Sequence, residues 1–300
     1  MRTSIIVLSS LVACHEAHPV PPVSTAAPRI TQVASPAEGI FANAYLVETP
    51  HGVVLVDATL RVSDASAVRT QLTALGKPLL GVLLTHGHPD HYNGTGIVTA
   101  GLEVPVIATR EVDRVIRADD AAKQALWQPM FGAEWPEHRV FPNRIVGDDE
   151  TVSLGGLAFR VHSIGPAESH ADSYWTIDGV SAAFVGDLVF SGTHSFITDA
   201  HTTAWLQALD ALEHALPPGA TLYPGHGKPG DVALIATERR YLERLRAELR
   251  RLSPSGTPLD DAAKAQLLAA LKQLEPSSAL EFLVGLGADA VAKELAVEPH

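Results

Sequence analysis

Apolar residues in this chain gather in short runs that end at turn-forming residues, interrupted by helical stretches, and from Asp231 onward the pattern is helical. Ile40 to Val47 and Val53 to Asp57 read as two strands joined at Pro50-His51-Gly52, a hairpin at the start of a sheet. Ser63 supplies an N-cap for a helix from Asp64 to Leu75 that stops at Gly76, and Leu79 to Thr85 is the next strand. A short strand at Val104 to Ala108 precedes a helical stretch from Glu111 to Leu126. Trp127 to Arg144 holds two Trp, two Phe and three Pro without clear period, so it reads as an ordered loop, over an active site or over the edge of the core.

The second half repeats the alternation. Strands are expected at Thr151 to Leu154, Phe159 to Ile164, Tyr174 to Ile177, Ala182 to Val185 and Thr221 to Tyr223, with a helix from Ala204 to Leu216 before the last. From Asp231 the pattern is helical: Arg239 to Leu252, Asp260 to Leu274, and Ser277 to Leu295. The fold class is therefore α/β, with residues 30–230 as the main domain and 231–300 as a C-terminal helical extension.

Candidate chemistry sits where the third strand ends. His86, His88, Asp90 and His91 fall within six residues directly behind apolar Val82-Leu83-Leu84, with only Gly87 and Pro89 between them. Gly87 permits a tight backbone and Pro89 fixes φ, so four side chains can converge. Packing gives no reason for such a density of ligand types. Imidazole and carboxylate suit zinc and its first-row neighbours.

His-x-His-x-Asp-His after a buried strand resembles the metallo-β-lactamase superfamily. Further matches follow in the family's order: a third histidine at His170, an acidic residue at Asp187 in Phe184-Val-Gly-Asp-Leu188, and a last histidine at His226 in Tyr223-Pro-Gly-His-Gly227. The resemblance, from about residue 35 to about residue 230, implies a four-layer αββα sandwich and a two-metal site. By it His86, His88 and His170 hold one metal, Asp90, His91 and His226 the second, and Asp187 bridges them. Gly165-Pro-Ala-Glu-Ser169 departs from the family's Gly-Pro-Gly-His-Thr, and aligned without a gap Glu168 takes the third position. Imidazole is the commoner ligand, so His170 is expected there with Glu168 as the alternative.

The formal net charge of -12 with no basic cluster argues against nucleic acid as substrate, and a hydrophobic content of 46% is ample for a core. The one cysteine, Cys14, ends a leader in which Arg2 precedes the apolar run Ile5 to Val12. Leu11-Val-Ala-Cys14 looks like a bacterial lipobox. Residues 1–14 are thus expected to be an export leader with a lipid anchor at Cys14, and 15–29 a tether, which places the protein in the cell envelope or periplasm, as an outer-membrane lipoprotein in one version.

Taken together, the expectation is a dinuclear hydrolase of the zinc type, with iron or manganese as alternatives, that cleaves an ester, lactone or amide of a small molecule with a bridging hydroxide. Asp90 would also manage the proton. No Gly-x-Ser-x-Gly competes. An aspartate at position 187 points away from dedicated β-lactamases; a β-lactamase, a single-iron dioxygenase and a non-catalytic envelope binding protein are the alternatives. His194 and Tyr92 are expected to contact substrate, and Asp199, His201 and Trp175 are weaker pocket residues.

Overall fold

The central strands of this chain carry apolar residues at consecutive positions because both of their faces are buried. In the computed structural model, which describes residues 27–298, the first sheet runs in the order β1 (Ile30–Ala34), β2 (Asn43–Thr49), β3 (Gly52–Val56), β4 (Leu79–Leu83), β5 (Val106–Thr109), β6 (Arg144–Val146). The second runs β11 (Thr221–Pro224), β10 (Val180–Gly186), β9 (Asp172–Ile177), β8 (Leu157–Gly165), β7 (Thr151–Leu154). On β2, Tyr45 and Val47 face the second sheet, where they meet Phe159, Trp175 and Phe184. Ala44 and Leu46 face the other way, toward helices α1 (Val62–Ala74) and α4 (Arg110–Phe131). Period-two alternation thus separates two buried faces rather than core from solvent.

On the outer face of the second sheet, α5 (Thr202–Ala215) packs with α6 (Ala233–Leu252), α7 (Asp261–Leu271) and α8 (Glu281–Val297) in one apolar cluster that includes Trp205, Leu242, Leu267 and Val284. The layers are helix, sheet, sheet, helix, as the resemblance implied. The C-terminal helices share their core with the second sheet. They also hold the connection from β10 to α5: Glu238 accepts from the Phe190 amide at 3.0 Å and the Ser195 hydroxyl at 2.8 Å.

Several element boundaries differ from the sequence expectation. The helix expected at Asp64 begins at Val62, because Arg61 closes a two-point ion pair on Asp64 across the first turn, at 2.9 Å for each bond. The helix expected to end at Leu126 continues to Phe131, with Pro129 in its last turns. β1 and β6 join the sheet at its two edges and were not expected. The leader, Cys14 and most of the tether lie outside the described residues. Among the described residues no helix is long and apolar enough to cross a membrane.

Candidate metal centre

Strand ends from both sheets deliver the ligand-type side chains to one place. After β4 the chain forms an isolated bridge from His86 to Asp172 and then turns at His88 into α2 (Pro89–Tyr92), a single helical turn with Pro89 at its start. That turn carries Asp90 and His91. Asp187 follows β10, and His226 follows β11. Gly225 is required beside them: a Cβ there would lie 1.9 Å from Oδ1 of Asp187 and 2.6 Å from Cε1 of His91.

Two buried groups result. In one, Nε2 of His86 and Nδ1 of His88 lie 3.5 and 3.1 Å from Oε2 of Glu168. In the other, Nε2 of His226 lies 3.0 Å from Oδ2 of Asp90 and 3.2 Å from Oδ2 of Asp187, while Nε2 of His91 lies 3.4 Å from Oδ1 of Asp187. The rings of His86 and His91, one from each group, have centroids 4.1 Å apart.

Each histidine's remaining ring nitrogen faces an oxygen pointing away from the group. His86 Nδ1 lies 3.1 Å from the Thr85 hydroxyl, which itself donates to Asp57; His88 Nε2 lies 2.9 Å from Asp199; His91 Nδ1 lies 2.8 Å from Asp57; and His226 Nδ1 lies 2.9 Å from the Ile40 carbonyl. Donation outward leaves a lone pair on each inward nitrogen, the tautomer a metal requires. The inward atoms are correspondingly short of partners: His86 Nε2, His91 Nε2, both Glu168 oxygens and Asp187 Oδ1 are buried without a hydrogen bond. Buried polar atoms are seldom left so, and convergent lone pairs are a cation's environment. Burial raises the Glu168 carboxyl to about 8 despite the neighbouring His88. A carboxylate there calls for positive charge.

The residues present therefore fit metal ions. The third position beside His86 and His88 is taken by Glu168, and His170 stands outside. The reason is the turn before β9: Oδ2 of Asp172 accepts from the amides of Ala167 at 3.2 Å and Ser169 at 2.8 Å, which folds Glu168 inward and leaves His170, two residues on, at the surface. There its Nδ1 pairs with Nε2 of His201 at 2.8 Å.

The residues expected at the substrate are also placed elsewhere. Tyr92 is buried in the helix-facing core and donates to Asp120 at 2.9 Å. His194 is buried against the C-terminal helices, near the Tyr241 hydroxyl and the Ser277 carbonyl. Trp175 lies between the sheets, its indole donating to the Leu84 carbonyl at 2.9 Å. Asp199 does reach the site, through His88. Sequence reasoning missed Asp57 and Ile40. Both have left-handed backbones, with φ of 57° and 53°, which cost a non-glycine residue energy and aim their oxygens at His91 and His226.

Over the second group opens a pocket of about 570 Å³, including its mouth, floored by His88, Asp90, Asp187 and His226. The last turns of α4 and the first turn of α8 form much of its wall.

The profile of the Metallo-beta-lactamase superfamily matches residues 37–226. A hydroxyacylglutathione hydrolase of Albidiferax ferrireducens is 27% identical over 165 residues, which are 54% of this chain and 54% of that protein. The chain spans about half the length of the curated relatives it matches. Among solved structures, a metallo-beta-lactamase family protein from Thermus thermophilus superposes with a TM-score of 0.62 at 23% identity, covering 88% of this chain and 91% of that one. A beta-lactamase domain protein from Burkholderia ambifaria gives 0.62 at 20%, covering 88% and 84%.

Proposed function

Since this chain belongs to the metallo-beta-lactamase superfamily, we propose that it is a dinuclear metal-dependent hydrolase cleaving an ester, lactone or amide of a small molecule. The observation that carries the reading is the pair of adjacent buried groups with inward lone pairs. His86, His88 and Glu168 would hold one ion, and Asp90, His91, Asp187 and His226 the other. Bound there, two such ions would supply an acidified water and polarise the oxygen of the bond under attack.

The chain's own residues do the rest. Asp90 lines the pocket, so its carboxylate is placed to accept the proton of the attacking water and return it to the leaving group. Asp199, Asp57 and the Ile40 carbonyl hold their histidines in one tautomer and one orientation. Hydrophobic side chains around the mouth exclude water from the reacting bond.

A second reading has its own observation. His86, His88 and Glu168 are two histidines and one carboxylate, the donor set of mononuclear non-haem iron oxygenases. One experiment separates the readings: metal-replete protein is assayed for metal content and against aryl esters, lactones, thioesters and a chromogenic cephalosporin, with and without a chelator. Two ions per chain and chelator-sensitive hydrolysis are expected. A single iron with oxygen uptake and no hydrolysis would replace the first reading by the second.

A further inference from the structure

The pocket wall offers a substrate apolar contact and very little else. Trp127, Met130 and Phe131 of α4 line it together with Phe282 and Leu283 of α8 and with Phe196. One cation, Lys123, lines it, and its ammonium is already occupied: it lies 3.5 Å from Asp199 and 5.6 Å from the centre of the Phe196 ring. A glutathione conjugate, with carboxylates and an ammonium to satisfy, would leave them unpaired against this wall.

The mouth continues the same surface. Eight large hydrophobic residues are exposed among the described residues, and four of them line this opening or lie one helical turn from a residue that does. Met130 and Phe282 line the pocket while 66% and 51% exposed; Leu126 and Leu286 are 62% and 47% exposed, one helical turn from each on the same helix faces. Apolar side chains concentrated at the rim of a pocket mark a binding surface for an apolar group.

We infer that the substrate of this site carries a hydrocarbon tail on its acyl side, lying between α4 and α8 with its carbonyl at the metal centre. The inference rests on the hydrolase reading and names its substrate class: medium-chain acyl esters or lactones rather than peptide thioesters. The reaction is plain hydrolysis. Water's oxygen bonds to the carbonyl carbon, the acyl C–O bond breaks, and the departing oxygen takes the proton. The C-terminal helices thereby become part of the specificity of the site, since α8 supplies one wall of the tail's channel.

The test is a series of p-nitrophenyl esters from acetyl to octanoyl on metal-loaded protein, with tail binding measured separately by quenching of tryptophan fluorescence by decanamide against acetamide. A buried methylene is worth up to about fourfold in kcat/KM, so burial of about three of the six added methylenes should make the octanoyl ester exceed the acetyl ester by about 50-fold. Phe282→Ser, at a half-exposed position, should lower that ratio about tenfold and weaken decanamide. Leu102→Ser, an exposed apolar residue outside the pocket, should leave both unchanged. A flat series in the wild type, or a slope retained in Phe282→Ser, would overturn the tail site. If no ester is hydrolysed while decanamide still binds in a Phe282-dependent way, the tail site stands and the hydrolase reading fails.

Discussion

Oδ2 of Asp57 stands 2.8 Å from Nδ1 of His91, and the same oxygen accepts from the Thr85 hydroxyl, which lies 3.1 Å from Nδ1 of His86. One buried carboxylate at the end of β3 thus orients a histidine in each of the two groups. Asp57→Asn places an amide NH2 where an acceptor is needed and favours the wrong tautomer of His91. Metal affinity at the His91 group should fall by about 10–100-fold, with a smaller loss at the His86 group. Titration with a competing chelator measures both; unchanged affinity at the two sites would leave Asp57 a folding residue.

Glu168 and His170 give a second contrast. Removing a ligand empties its site, whereas removing a surface imidazole does not, so Glu168→Ala should release about one ion per chain and His170→Ala none. Elemental analysis decides it. The same carboxylate should bias its group toward iron or manganese, and Glu168→His should shift it toward zinc.

These two residues also show where the sequence was legible. The strand-end residues of ligand type, His86, His88, Asp90, His91, Asp187 and His226, stand out because each follows a buried apolar strand or a glycine-flanked loop, a local pattern. The choice between Glu168 and His170 depends on a turn closed by Asp172, a hydrogen-bond geometry that residue spacing does not carry. Tyr92 and His194 sit one residue after a ligand-type position and in the segment after Asp187, yet their side chains turn into core contacts set by α4 and by the C-terminal helices. The pocket wall was hidden for another reason: α4 runs past Pro129, so Trp127 and Met130 belong to a helix face that the aperiodic composition disguised.

Glu238 predicts a pH dependence of stability. Burial raises its carboxyl to about 8, against the lowering effect of its bonds from Ser195 and Phe190. Folding then takes up a proton between the ordinary carboxyl range and about 8, so stability is greatest below that window and declines as pH rises through it. The slope is at most about 1.4 kcal/mol per pH unit. Glu238→Gln keeps an acceptor and cannot ionise. Urea unfolding at pH 6 and pH 8 should show a loss of about 1–2 kcal/mol in the wild type that is largely absent from the variant; equal losses in both would assign the slope to other groups.

Asp90 tests the chemistry itself. Its Oδ2 lies 3.0 Å from Nε2 of His226 and 3.5 Å from Nε2 of His91, and the side chain borders the pocket floor where a water and a scissile bond would meet. Asp90→Asn preserves the shape of the turn after Pro89 and retains one oxygen donor. It removes the negative charge and the capacity to accept a proton. The group of His86, His88 and Glu168 does not include Asp90, so it should keep its ion, and the folded structure should be unchanged by circular dichroism. Turnover of an ester or lactone substrate should nevertheless fall by about 10²–10⁴-fold, the range for loss of a general acid–base group. Metal content measured on the same preparation separates the two contributions. Near-full turnover with both ions bound would make Asp90 a ligand alone and move the proton transfer to another group on the pocket floor.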